Sequence, residues 1–258
     1  MLASQRQRLI MVEVHRQGGV RVSDLVTQLD VSDMTIRRDL EALSRRGLVE
    51  KVHGGATLPV MRAADEPGFA AKSSREPGEK EAIAKAAAAL IPPGTSVAIS
   101  AGTTTWALAR HLSGIAGLTV VTNSVPVADV LHRSGSPDRT VILTGGVRTP
   151  SNALVGSVAI SALLSLHVDM VFMGVHGMDE HAGLTTPNLL EAETNQAMIR
   201  SGRRLVVVAD HTKWGNVGLS RFARIQEAHV VISDDRLPDS ARDTLDSMTQ
   251  LMIVESGD

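Results

Sequence analysis

Cysteine is absent from this 258-residue chain, so disulfides, thiolate metal sites and cysteine nucleophiles are all excluded. The same absence fits a reducing, cytoplasmic setting. No apolar run approaches membrane-spanning length, and the N-terminal residues lack the charged, apolar, small-residue order of a signal peptide. A soluble cytoplasmic protein with no membrane partner is therefore expected. Excess charge is also missing, since the net charge is only −2. Splitting the chain recovers a weak asymmetry. Residues 1–60 hold 9 Lys+Arg against 7 Asp+Glu, and the remainder holds 17 against 21. Bulk charge therefore identifies no partner, and the placement of individual cations has to.

That placement is most telling over residues 23–45. Apolar positions in Gln5–Gln17 predict a first helix ending at Gly18-Gly19. A second helix is expected over Asp24–Leu29 with Ser23 as its N-cap, followed by a turn at Asp30-Val31-Ser32. Ser32 is placed to cap a third helix, on which Ile36, Leu40 and Leu43 share the inward face. A rotation of about 100° per residue then turns Met34, Thr35, Arg38 and Arg45 outward, with Arg37 on the flank. Two short helices around a tight turn, with paired arginines on the second, describe a helix-turn-helix whose partner is double-stranded DNA. Asp39, at the edge of the core, is expected to brace an arginine. After Gly47, the run from Leu48 to Thr57 reads as a β-ribbon, or wing, with Lys51 and His53 placed to touch the DNA backbone or minor groove.

Residues 59–78 mix Pro, Gly, Ser, Ala and charges without periodicity and read as a linker between a 1–58 DNA-binding domain and a 79–258 α/β domain. In the latter, short apolar runs alternate with helical segments, starting at Val97, Thr119, Val141, Val168, Leu205, Val230 and Leu251. The alternation predicts a largely parallel sheet covered by helices. Polar, glycine-bearing turns follow the strands and would gather at the carboxyl edge of the sheet, where open α/β folds bind ligands. They contain Ser100, Gly102, Thr103 and Thr104, then Asn123 and Ser124, then Gly145 and Gly146. Further along come His176, Asp179 and Lys213. Strand-to-helix turns aim backbone N–H groups and hydroxyls at one spot and favour phosphate or carboxylate. Lys213 adds a positive charge, and Asp179 and Glu191 are placed to accept hydrogen bonds from sugar hydroxyls. The set suits a small phosphorylated polyol. His167, His176 and His211 have no metal-ligand spacing, so neither a metal nor another cofactor is expected.

The N-terminal segment, in Thr35-Ile36-Arg37-Arg38-Asp39-Leu40 and Val52-His53-Gly54-Gly55-Ala56, resembles the winged-helix domain of the DeoR family of bacterial transcription regulators. The second half resembles the same family in Ser100-Ala101-Gly102-Thr103-Thr104-Thr105, Val121-Thr122-Asn123, Leu143-Thr144-Gly145-Gly146, Gly183-Leu184-Thr185-Thr186 and Ala209-Asp210-His211-Thr212-Lys213-Trp214-Gly215. The resemblance implies a homo-oligomeric repressor of carbohydrate catabolic genes, released from its operator by a phosphorylated sugar. It also implies a C-terminal fold similar to ribose-5-phosphate isomerase, used for sensing. His176 departs from the family pattern, which usually has Asp there, and this implies a changed effector, one with an extra anionic group. Two other readings stay open on sequence alone: an isomerase-type enzyme fused to a helix-turn-helix, and a DNA-binding protein whose large domain only oligomerises.

Overall fold

In a computed structural model, residues 1–45, 47–57, 63–66, 68–135 and 138–256 are described. The chain divides into two compact units, Met1–Arg62 and Ala63–Asp258.

The first unit runs α1 (Ala3–Gln17), β1 (Gly19–Arg21), α2 (Val22–Leu29), α3 (Asp33–Arg45), β2 (Glu50–Val52) and β3 (Gly55–Thr57). Its core gathers Ile10 and Val14 of α1, Leu25 of α2, and Ile36, Leu40 and Leu43 of α3. The inward face expected for the third helix is therefore the one that packs. Helix α2 starts before the expected Ser23 cap. Val22 is buried and its N–H donates to the Gly54 carbonyl at 2.8 Å, so tertiary contact sets the start. The Ser23 hydroxyl bonds Asp24 instead. Left-handed Asp30 (φ 50°) ends α2, and the Ser32 hydroxyl accepts the Thr35 N–H at 3.3 Å, as a cap should.

The wing is real, and it carries a third strand. β1, β3 and β2 form an antiparallel sheet in that order. The Gly54-Gly55 pair has a steric cause. Gly54 turns at φ 79°, and a Cβ on Gly55 would sit 2.0 Å from the Val20 carbonyl oxygen of the neighbouring strand. Arg6 of α1 pairs with Asp39 of α3, which also accepts from Gln7 Nε2 at 3.0 Å. Asp39 is thus the structural brace the sequence suggested.

The second unit begins with α4 (Phe69–Ser73) and α5 (Pro77–Ala89). It continues with β4 (Ser96–Ile99), α6 (Thr103–Arg110), β5 (Thr119–Thr122), α7 (Val125–Arg133) and β6 (Thr140–Leu143). Next come β7 (Val147–Arg148), β8 (Leu154–Val155), α8 (Ser157–Leu164), β9 (Val168–Gly174), β10 (Gly177–Asp179), β11 (Gly183–Thr186) and α9 (Leu189–Ser201). The chain closes with β12 (Gly202–Val208), β13 (Ser220–Ala223), β14 (Val230–Asp234), α10 (Asp239–Met248) and β15 (Gln250–Val254). All seven strands expected from the apolar runs join one parallel sheet, ordered β15-β14-β12-β9-β4-β5-β6.

Apolar residues fill both faces of this sheet, as a parallel sheet covered by helices requires. Alternation sends Phe172 of β9 to a core shared with Ile83, Leu108 and Val127, while Val171 and Met173 face Leu163, Met198 and Leu245. Fully burying one such side chain is worth about 1.5–3 kcal/mol. The chain winds outward from β4 through β5 to β6, then returns to lay β9 on the other side of β4. The carboxyl ends of β4 and β9 therefore flank a topological switch point, where an open sheet leaves a crevice.

Two parts of this unit depart from the sequence reading. The region read as linker through residue 78 belongs to the second unit from Ala63 onward and contains α4. Strands β10, β11 and β13 build a separate small antiparallel sheet. Their sequences, Gly-Met-Asp, Gly-Leu-Thr-Thr and Ser-Arg-Phe-Ala, contain no apolar run to mark them as strands.

Candidate functional site

On the first unit, α3 and the wing present the residues expected to meet DNA. Ser32, Met34, Arg37, Arg38 and Arg45 are exposed and Thr35 is half-buried. Lys51 of β2 and His53 at the hairpin tip are exposed as well. The Thr35 and Ser32 hydroxyls lie 2.9 Å apart, which fixes Thr35 at the start of the helix. Arg37 is paired with Asp33 one turn earlier at 2.5 Å, and that hydrogen bond raises its pKa further. The pair is open to solvent on both sides, so a phosphate can compete for the guanidinium. Arg38 has no ion pair among the described residues and projects from the helix as a free fork of donors.

On the second unit, a cleft opens at the switch point. Ala101, Gly102, Thr103 and Thr104 line it from the end of β4, and Gly174, Val175 and His176 from the end of β9. Thr103 opens α6, so the first-turn N–H groups have no acceptor within the helix and offer an anion site. Lys213 lines the cleft from the turn after β12, its Nζ 3.9 Å from Asp210. The other Asp210 oxygen caps that turn by accepting from Thr212 N. Asp210 is buried, and its Oδ2 has no hydrogen bond among the described residues, so the nearby lysine charge is its compensation.

A second lysine, Lys72 of α4, also lines the cleft. Burial lowers its pKa, and Lys213 lowers it further, while Glu191 and Glu66 oppose the shift. Helix α4 is held in place by several ties. The Phe69 N–H donates to Pro150 O at 3.3 Å, and the Phe69 ring meets Trp106 edge-on at 5.9 Å. The buried Lys80 ammonium donates to the Lys72 carbonyl at 2.8 Å and to that of Arg75. Burial brings the Lys80 pKa down to about 8.

Glu191 of α9 also lines the cleft, close enough for its charge to act on Lys72. Its carboxylate accepts from the hydroxyls of Thr149 (3.1 Å), Thr186 (2.9 Å) and Ser151. His176 lines the cleft as well, its pKa pushed down to about 4 by burial and by Lys72 and Lys213, and so it is neutral near pH 7. Its ring makes no hydrogen bond to any described residue and stays available to a ligand.

Of the residues singled out from the turns, Gly102, Thr103, Thr104, Asn123, His176, Glu191 and Lys213 come together here. Asn123 also holds the frame, accepting from Ala101 N at 2.9 Å and donating to Leu154 O. The others lie outside the cleft wall and have structural employment. Ser100 accepts the Gly174 N–H, and Ser124 caps α7 through Val127 N. Gly146 lets the chain pass the Val155 carbonyl oxygen, which a Cβ would meet at 2.6 Å, and Gly145 precedes it at φ 74°. Asp179 accepts the N–H groups of His181 and Ala182 in the turn after β10, and these bonds lower its pKa.

The turn chemistry did not reveal Lys72, Phe69, Ser151, Thr186 or Asn195, which also line the cleft. Thr186 closes the Gly183-Leu184-Thr185-Thr186 motif, so a signal existed there. Lys72 gave none, as one cation in a stretch read as a connector.

Comparison with known proteins agrees with this division. Residues 6–61 match the family model for the DeoR-like helix-turn-helix domain, and residues 75–235 match the DeoR C terminal sensor domain. The chain is 37% identical over 242 residues, 93% of each chain, to an uncharacterised HTH-type transcriptional regulator of Escherichia coli, YgbI. It is 36% identical to the HTH-type transcriptional regulator GlpR of Haloferax volcanii, covering 96% of each chain. Identity is 32% to the glycerol-3-phosphate regulon repressor of E. coli, over 95% of this chain and 96% of that one. Among solved structures, ribose 5 phosphate isomerase A from Neisseria gonorrhoeae overlaps 55% of this chain and 54% of its own at 15% identity, with a TM-score of 0.39. With a helix-turn-helix ahead of a sensor fold, and relatives matched along nearly their whole length, the chain belongs to the DeoR family and is a DNA-binding transcriptional regulator.

Proposed function

We propose that this regulator is a repressor of carbohydrate or polyol catabolic genes, that it binds its operator as a homo-oligomer, and that a small phosphorylated polyol in the cleft releases it. One observation carries the ligand reading: Lys72, Lys213 and the N-terminus of α6 line the same cleft as Ser151, Thr186, Asn195 and Glu191. Cations and free backbone donors suit a phosphate, and the hydroxyl-rich remainder suits a polyol. The name of the E. coli glycerol-3-phosphate regulon repressor is in keeping with this ligand class.

Binding without conversion is the reading the carboxylates support. Aldose–ketose isomerisation needs a base beside the carbon acid. Glu191 is the one carboxylate among the described lining residues, and three hydroxyls already hold it. Asp179 is spent on its turn.

A melt of the purified protein against phosphorylated sugars and their unphosphorylated parents tests the proposal. Ligand at 100 times its Kd adds about 2.7 kcal/mol. For a domain of this size that raises Tm by roughly 5–10 °C. A shift with a phosphorylated compound and none with its parent is expected. No shift across three-, five- and six-carbon phosphates would refute the ligand reading and leave an oligomerisation domain in its place.

A further inference from the structure

The chain enters the second unit at Ala63 and soon supplies two residues of the cleft lining, Phe69 and Lys72 of α4. The stretch 63–76 is thus the part of the ligand site that lies next along the chain to the DNA-binding unit. None of its described residues is fully buried, whereas α5, directly after it, sinks Ile83, Ala84 and Ala87 into the core. Polar clips hold the stretch instead. Leu219 N donates to Ala63 O at 2.8 Å, and Glu66 accepts from Asn188 Nδ2 at 3.0 Å and from Ser151 N at 3.3 Å. The Phe69 N–H, the Phe69 ring on Trp106 and the Lys80 ammonium hold α4 itself. At Glu76 the chain turns through a left-handed conformation (φ 44°) that strains a residue bearing a side chain, and Arg236 holds that carboxylate at 2.9 Å. A segment tied down mainly by hydrogen bonds opens at a lower free energy than the core it lies on.

A ligand in the cleft acts on that opening. It meets Phe69 and Lys72 only while the stretch is seated, and a ligand shifts an equilibrium through its differential contacts with the two forms. Lys213 and Arg75 oppose the Lys72 charge while Glu191 and Glu66 support it, so an anionic ligand adds to the support. Opening in turn changes what the DNA-binding unit can reach. Fully extended, the fourteen residues from 63 to 76 span about 46–50 Å. That exceeds the roughly 34–36 Å between operator half-sites one helical turn apart. Seated, the stretch is folded onto the sensor unit and that reach is withdrawn.

We infer that residues 63–76 form a strap, that a cleft ligand seats it, and that seating it takes the regulator off its operator. The inference rests on the effector and homo-oligomer readings proposed above and names the element through which cleft occupancy is passed on. Coupling is reciprocal, so operator DNA favours the released strap and weakens ligand binding.

Two variants of the full-length protein test it, by anisotropy on a labelled duplex that the protein selects from a random-sequence pool. sn-Glycerol 3-phosphate, D-ribose 5-phosphate and D-glucose 6-phosphate are first screened by melt, and the compound that raises Tm serves as ligand. Ala63→Cys with Leu219→Cys locks the strap without any ligand, because the chain has no other cysteine and a backbone hydrogen bond brings the two residues together. Its oxidised form should bind the duplex about tenfold more weakly than its reduced form; equal affinities would overturn the inference. Glu66→Ala removes two clips and lies outside the cleft lining. It should raise the ligand concentration for half-release about fivefold, because the seated form is then less populated. An effect through charge alone has the opposite sign, since losing the Glu66 charge that supports Lys72 favours an anion. An unchanged or lower concentration would therefore overturn the inference, and this arm decides should the disulfide not form. A melt shift with both variants behaving as wild type refutes the strap and leaves the effector reading standing. No melt shift, with DNA binding still weakened by the cross-link, refutes the effector reading and leaves the strap's control of DNA binding.

Discussion

Removing Asp39 should unfold the DNA-binding unit while leaving the sensor unit standing. The Asp39 side chain is 5% exposed and its partner Arg6 11%, and the pair ties α3 to α1. Truncating one member of such a pair strands the other charge away from water, at a cost of about 3–5 kcal/mol. Asp39→Ala also removes the acceptor for Gln7. At about 0.05–0.15 kcal/mol per residue, a unit of this size holds only about 3–9 kcal/mol in total. The loss is therefore comparable with the whole stability of the unit. Residues 1–62 contain no aromatic residue, and both tryptophans, Trp106 and Trp214, lie in the second unit. Far-UV circular dichroism reports both units, whereas tryptophan emission reports only the second. In Asp39→Ala, part of the helical signal should be lost well below the wild-type transition, with the tryptophan transition unmoved. Replacing both charges, Arg6→Met with Asp39→Leu, should recover most of the loss, because apolar substitutes of similar volume often match a buried ion pair. Wild-type dichroism in Asp39→Ala, or failure of the double variant to improve on it, would refute the reasoning.

Three further outcomes are expected. Arg38→Ala should weaken operator binding by about 1–3 kcal/mol and relax specificity at one base pair if the guanidinium reads a base edge; a uniform loss with a shallower salt dependence, measured by anisotropy, would assign it to phosphate. Gly146→Ala should lower the tryptophan-monitored Tm by several degrees, since its Cβ would lie 2.6 Å from the Val155 carbonyl oxygen at φ 121°, a strain of about 1–3 kcal/mol; an unchanged Tm would contradict that contact. The His211–Asp234 pair, at 2.8 Å, should give the second unit a stability maximum in mildly acidic solution. The hydrogen bond to Asp234 raises the His211 pKa, so its contribution is full below about 6.5 and fades as pH rises through the raised value. Burial pushes Asp234 up, but its bonds from His211 leave it below its ordinary value. Its share is present above about 3.9 and fades as pH falls through the lowered value. Chemical denaturation across pH should show both limbs, with the alkaline one flattened in His211→Gln; an alkaline limb of equal slope in that variant would exclude the pair as its source.

What the sequence made legible follows from how local each signal is. The seven parallel strands are short apolar runs bounded by glycine and threonine turns, and each announces itself without its neighbours. Helix α3 is legible for the same reason, because Ile36, Leu40 and Leu43 repeat at the helical period. Helix α4 is the opposite case. Its five residues are fixed by Pro150, Trp106 and Lys80, all distant in sequence or on another helix, so Lys72 looks like a linker cation until the fold carries it to the cleft. Gly145-Gly146 misleads in the other direction, since a glycine pair that reads as an anion nest is here a steric requirement beside Val155. The hydroxyl cluster around Glu191 joins Thr149 and Ser151 to Thr186 and Glu191 across some forty residues, and nothing in their spacing connects them.

The most direct test of the account is release of DNA by a cleft ligand. A labelled duplex that the protein selects from a random-sequence pool is bound, and anisotropy is followed as a phosphorylated polyol that shifts the melt is added. The account predicts release from the wild-type protein, with the Lys72→Gln, Lys213→Gln double variant staying on the duplex at the same ligand concentrations. Retention of DNA by the wild-type protein at saturating ligand, or equal release from the double variant, would contradict it.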